Sequence, residues 1–124
     1  MENLQVKLPD SAFCQKYDAL VWRVIDGDTY EILIDIGFDV FRKLRVRLYG
    51  CNCPETRGKS KQAGLKSKAY VTGLLEGKHV TFLGCGKTEK FGRTLARIVL
   101  PDSSDLTNKL VSEGYAIEYY GTND

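Results

Sequence analysis

Apolar and polar positions alternate with a period of two over much of the chain, and turn residues break the runs. Ala19 to Ile25 is β-branched, aromatic or aliphatic and predicts a first strand, with Trp22 in the core. Asp26-Gly27-Asp28 ends it as a turn. Thr29 to Ile36 predicts a second strand with Tyr30, Ile32 and Ile34 on one face. Val40 to Tyr49 predicts a third, with Leu44, Val46 and Leu48 facing one way and Lys43, Arg45 and Arg47 the other. After a loop through Cys53-Pro54-Glu55, the period changes. Ser60 is placed to cap a helix reaching about Leu75, with Leu65, Ala69, Leu74 and Leu75 as its apolar positions and Gly77 beyond its end. His79 to Leu83 and Arg93 to Leu100 predict two more strands, the latter closed by Pro101. Asp105 or Thr107 can cap a short helix through Glu113, and an aromatic tail follows from Tyr115 to Tyr120.

Three strands, a helix, two strands and a helix give a mainly β, α+β chain. The expectation is a five-stranded OB-type Greek-key barrel with two or three helices. Its 124 residues suffice for one core. Residues 1–16 show no steady period and are expected to form an arm, leaving 17–124 as the domain. No apolar run is long enough to span a bilayer, and the opening Met1-Glu2-Asn3-Leu4-Gln5 shows no leader, so a cytoplasmic monomer without membrane contact is expected. Cys14, Cys51, Cys53 and Cys85 then read as thiols, because their spacing suits neither a disulfide framework nor a zinc site.

Charge changes the picture more than composition does. The net charge of +2 conceals a block at residues 42–68 with nine bases against Glu55, a net of +8. Residues 1–41 carry eight acids against three bases. A basic block beside an acidic segment is the footprint of a polyanion ligand with a metal nearby, although a solvated basic face gives the same count.

Three segments carry candidate chemistry. Asp26-Gly27-Asp28-Thr29 can offer oxygens to a hard cation or form a plain hairpin turn. Arg47-Leu48-Tyr49-Gly50-Cys51-Asn52-Cys53-Pro54-Glu55 delivers an arginine from a strand, then an amide and a carboxylate from a loop. Phe91-Gly92-Arg93 sets an arginine at a strand start. With Asn108-Lys109-Leu110-Val111-Ser112-Glu113-Gly114, these segments in this order resemble the staphylococcal nuclease (thermonuclease) family over about Val21 to Tyr120.

The resemblance implies a calcium-dependent phosphodiesterase acting on DNA and RNA. It implies Asp28, Asn52 and the Cys53 carbonyl as Ca2+ ligands, with Asp26 beside them. It implies Glu55 positioning the attacking water, and Arg47 and Arg93 gripping the phosphate. Nothing in that scheme uses a 2′-hydroxyl, and OB barrels favour single strands. Two positions depart from the family pattern. Asn52 stands where the family has Asp and brings no charge, and Phe91 replaces Tyr. A catalytically weak or inactive nucleic-acid-binding module is therefore the alternative, with a protein-interaction domain a third reading that the basic block disfavours. Lys59, Lys61, Lys66 and Lys68 can contact backbone phosphates or form a solvated helix face. Tyr120 can stack on a base or, with Tyr115 and Tyr119, seal the core. His79 reads as a surface or packing residue rather than a catalyst.

Overall fold

A computed structural model describes residues 7–120. Seven strands are present among them: β1 (Gln15–Asp26), β2 (Thr29–Asp35), β3 (Phe41–Leu48), β4 (Gly50–Asn52), β5 (His79–Thr88), β6 (Thr94–Val99) and β7 (Ile117–Tyr119). Two helices, α1 (Lys61–Leu75) and α2 (Leu106–Ser112), lie between them. The five long strands close a barrel in the order β1-β2-β3-β6-β5, as expected of an OB-type fold. The β3–β6 seam is parallel and the other pairings are antiparallel.

Alternation predicts the barrel interior well. Tyr30, Ile32, Val46, Ala96 and Ile98 are fully enclosed, and Ile34 and Leu48 nearly so. β1 departs from the expectation in two ways. It starts at Gln15 instead of Ala19, because Gln15–Asp18 pair with β5 through the backbone while their side chains stay exposed. A register shift also falls between Val21 and Arg23. Val21 and Val24 point inward, so Trp22 and Arg23 both face out. Trp22 is 56% exposed and is not a core residue.

The first helix differs too. Its buried stripe is Gly64, Ser67, Val71 and Leu75, spaced three and four apart, while the predicted apolar position Leu65 is 45% exposed and Ala69 is also exposed. The stripe begins with small residues because α1 runs against the Pro54–Glu55 backbone, leaving no room for a Cβ at Gly64. Ser60 does not cap this helix. It lies in a 3-10 turn and its hydroxyl donates to the Glu55 carbonyl at 3.3 Å. Asp105 does cap α2, accepting from the Asn108 N–H at 3.0 Å.

The aromatic tail contributes β7, which pairs with β4 in register from Gly50↔Tyr119 to Asn52↔Ile117. Tyr115 stacks on Tyr70 at 4.1 Å between ring centroids. Of the predicted arm, residues 7–14 lie against the barrel and Gln15 and Lys16 belong to β1, while residues 1–6 lie outside the described part. Phe13 meets Tyr49 at 4.9 Å, and the Tyr49 hydroxyl accepts from the Leu8 N–H at 2.7 Å.

Two glycines of α1 make a paired test. A Cβ at Gly64 would collide with the Glu55 carbonyl and lie 2.8 Å from the Pro54 oxygen, whereas a Cβ at Gly73 meets nothing within 4 Å. Gly64→Ala is expected to destabilise by about 1–3 kcal/mol. Gly73→Ala should stabilise by about 0.5–1 kcal/mol through the lower cost of ordering alanine in a helix. Urea unfolding of both variants checks this, and equal shifts would refute the packing argument.

Candidate active site

The cleft is built from two corners of the barrel. At the first, β1 turns into β2 through Gly27-Asp28. The buried Tyr30 hydroxyl donates to the Gly27 carbonyl at 2.6 Å, and the Leu48 N–H donates to the Asp28 carbonyl at 2.9 Å. Burial holds the Tyr30 phenol well above its usual pKa, so it remains a donor. Gly27 is needed here, since a Cβ would sit 2.8 Å from Cys53 Sγ.

At the second corner β3 passes into β4. Arg47 ties it together: Nη1 donates to the Leu48 carbonyl at 3.0 Å and the Cys51 carbonyl at 3.1 Å, while Nη2 donates to Asn52 Oδ1 at 2.9 Å. Asp28 joins the corners. Its carboxylate is turned inward, with the residue 8% exposed, and Oδ2 accepts from the Cys53 N–H at 2.8 Å. The same oxygen is 3.3 Å from Arg47 Nη1. Thr56 ties the following loop to the turn, donating to Asp26 Oδ1 at 3.2 Å.

Arg93 enters from the start of β6. Nη1 donates to Thr29 Oγ1 at 2.9 Å and Nη2 to Glu89 Oε2 at 2.8 Å. The other Glu89 oxygen accepts the backbone N–H groups of Phe91 and Arg93 at 3.0 and 2.9 Å. Arg93 Nε is buried without a partner. Burial opposes the Glu89 charge, but the hydrogen bonds and charge of Arg93 outweigh it and the carboxyl is held below its usual pKa.

These corners enclose a cleft of about 530 Å³ lined by Asp26, Asp28, Arg47, Asn52, Glu55 and Arg93, with Phe91 and Tyr119 at its sides. All of the predicted catalytic and ligand residues thus come together. Cys53 lines the same cleft, and its thiol is held protonated, first by a hydrogen bond with Cys51 and then by burial. Glu55 and Asn52 are exposed. Oxygen donors of the kind expected for calcium, the side chains of Asp26, Asp28 and Asn52, line this cleft, although Arg47 and the Cys53 N–H already engage Asn52 and Asp28. Among the described residues, no three His, Cys, Asp or Glu side chains gather as a metal-binding group, so amide, carbonyl and solvent oxygens would have to complete the shell.

The predicted nucleic-acid contacts do not line the cleft. Lys59, Lys61 and Lys66 are exposed on the 3-10 turn and α1, and Lys68 is half-buried. Tyr120 packs on Tyr49 at 5.6 Å and donates to Glu118 at 2.8 Å, with its phenol pushed up to about 12, first by burial. Glu89 is not among the residues expected from sequence, and Thr29, part of the Asp26–Thr29 motif, takes an unexpected role as the acceptor for Arg93. Glu89 stands four residues before Arg93, a spacing that could have flagged it.

A closed mixed barrel whose one cleft gathers Arg47 and Arg93 beside the carboxylates of Asp26, Asp28, Glu55 and Glu89 suits a nuclease-type domain. A model of the staphylococcal nuclease homologue family matches residues 45–124, and the chain belongs to that family. It is 30% identical over 112 residues to an uncharacterized endonuclease of Escherichia coli O157:H7, covering 89% of this chain and 67% of that protein. It is 29% identical over 115 residues to Endonuclease YhcR of Bacillus subtilis (strain 168), covering 85% of this chain but 9% of that protein. It is 28% identical over 107 residues to Protein ParB of Escherichia coli, covering 80% of this chain and 55% of that protein. The family and the two endonuclease names support nuclease activity. No described helix is long and apolar enough to cross a membrane.

The depressed Glu89 pKa gives a pH test. A carboxyl with a lowered folded pKa adds stability that is fully present above its unfolded value, near 4.5, and is lost as pH falls through the folded value. Glu89→Gln should therefore be less stable than the parent at pH 7, and the gap should shrink below about pH 4. Denaturant titrations at both ends of that range decide it.

Proposed function

We propose that this domain is a calcium-dependent phosphodiesterase that hydrolyses DNA and RNA, with single strands preferred. The observation that carries the reading is the convergence of Arg47 and Arg93 on one cleft that also holds Asp28 and Glu55. Two guanidinium forks match the oxygens of a phosphodiester and follow its charge as the transition state forms. The unpaired Arg93 Nε gives that side chain a reason to turn towards an anion.

Asp28, Asn52 and the Cys53 carbonyl would hold the calcium ion, with Asp26 beside them. The ion would polarise a phosphoryl oxygen and offset the repulsion between an anionic substrate and its nucleophile. Glu55 stands exposed at the cleft. It accepts a proton from water as the water oxygen bonds to phosphorus. The ester P–O bond breaks, and the departing oxygen takes a proton from solvent. No group in the cleft needs the sugar 2′-hydroxyl.

A second reading is a binding module with little or no activity. The Arg47 guanidinium supports it, because it already lies against the Asp28 and Asn52 oxygens that a cation would use. Incubation with single-stranded DNA in calcium, with and without a chelator, separates the two. Cleavage that the chelator abolishes supports the nuclease; binding without cleavage supports the module.

In the nuclease, Glu55→Gln and Arg93→Ala are expected to slow cleavage about 100-fold or more without unfolding the barrel. Arg47→Ala should slow it as much and also lower stability, since it releases the Leu48 and Cys51 carbonyls and leaves Asp28 unpaired by charge. A Glu55→Gln protein as fast as the parent would refute the assignment.

Asn52→Asp adds a negative charge where the amide oxygen now sits. It should tighten calcium binding about 10-fold or more and lower the calcium needed for half-maximal cleavage. Calorimetry on both proteins, beside rates across a calcium series, checks this. Equal affinities would remove Asn52 from the metal site.

A further inference from the structure

The outer face of the β1–β2–β3 sheet leads directly away from the cleft. Along β3, Arg47, Arg45, Lys43 and Phe41 project to the same side, because alternate residues share a face. Arg45 pairs with Glu31 on β2, which pairs in turn with Arg23 on β1. One carboxylate, Glu31, therefore lies among three cations. Its oxygens are 3.0 Å from Arg45, 3.3 Å from Arg23 and 3.9 Å from Lys43. All three cationic side chains are more than half exposed, so the cluster presents a surplus of positive charge to solvent.

Trp22, the single tryptophan, stands beside this cluster. The register shift in β1 turns it outward, and the Lys43 ammonium lies 5.8 Å from its ring centre. Phe41, 59% exposed, continues the row beyond Lys43. Exposed aromatic rings interleaved with cations are what a single-stranded polynucleotide needs: faces for its bases and charges for its phosphates.

We propose that this face binds the single strand as it runs out of the cleft, with a base stacked on Trp22 and phosphates on Arg45, Lys43 and Arg23. The proposal rests on the nucleic-acid reading of the cleft and adds a second subsite to it. Lys43 lies four residues along β3 from Arg47, about 14 Å. A dinucleotide held at Arg47 is expected to stop short of Trp22, which a longer strand following β3 would reach.

The test uses the whole chain in chelator, so that binding is read without cleavage. Trp22 emission is followed as a thymidine dinucleotide or a fifteen-nucleotide oligothymidylate is added. The long strand should quench it and the dinucleotide should not. With binding by all the variants read instead from the anisotropy of end-labelled strands, since Trp22 is the single tryptophan, Trp22→Ala should weaken binding of the long strand by about 5- to 100-fold, as expected for loss of a stacked base, and leave the dinucleotide affinity unchanged. Lys43→Gln with Arg45→Gln should reduce the salt dependence of the long strand by about one unit or more in log–log slope. Trp22→Phe should retain most of the affinity. Cleavage in calcium with no quenching by the long strand would overturn this proposal while sparing the nuclease. Quenching with no cleavage would uphold the track and remove the nuclease reading. A response to anionic phospholipid vesicles and none to the oligonucleotide would make the face a membrane surface and overturn the proposal.

Discussion

The buried carboxylate of Asp28 is the constraint on which the cleft depends. A charge removed from water must find partners, or its burial costs several kilocalories per mole. Asp28 finds them across the cleft, at the β3–β4 corner. It sits in the β1–β2 turn, accepts the Cys53 N–H and faces the Arg47 guanidinium. Its side chain thus pins the β3–β4 corner to the turn, while its backbone carbonyl holds the Leu48 N–H. Remove the carboxylate and Arg47 and the Cys53 amide both lose an acceptor. The groups that would handle an anion are the groups that hold the two corners together.

That economy has an electrostatic side. Arg47 spans two carbonyls, an amide and a carboxylate, so its position is fixed before any ligand arrives. Arg93 is fixed differently, by the Glu89 carboxylate that also closes its own turn. Three of the four acceptors around the first guanidinium are neutral, and Asp28 is its one charged partner. The second shares its charge with a neighbour. The uncharged Asn52 tips the balance at the first corner the same way, since an aspartate there would neutralise Arg47 further.

Much of this was legible in the sequence, for a physical reason. Strands with one buried face must alternate, so Tyr30, Ile32, Ile34, Val46 and Leu48 declare their side. The cleft residues were legible because the family motifs fix residue type at each position. What was not legible depends on backbone geometry more than on side-chain polarity. Gln15–Asp18 form a strand through the ladder with β5 alone, and their exposed side chains leave no pattern. Gly64 and Ser67 are buried because they are small, and a hydropathy reading of α1 passes over them in favour of Leu65. Trp22 looks like core until the register shift in β1 is known. Ser60 has the right type for a cap but serves the Glu55 carbonyl.

The parallel β3–β6 seam has a consequence for how the chain matures. Arg47 stands near the end of β3 and Arg93 just before β6, and Val46 pairs with Thr94. No local hairpin can bring them together, because α1 and β5 lie between them in the chain. Contacts of such long sequence separation form late and slowly. A chain emerging from synthesis carries Arg47, Asp28 and Glu55 well before it can dock β6. The second guanidinium reaches the cleft only when the barrel shuts, so the complete site and the closed barrel arise in one event. On the proposed nuclease reading, a partly folded chain lacks its second guanidinium, and the appearance of cleavage would clock closure of this seam.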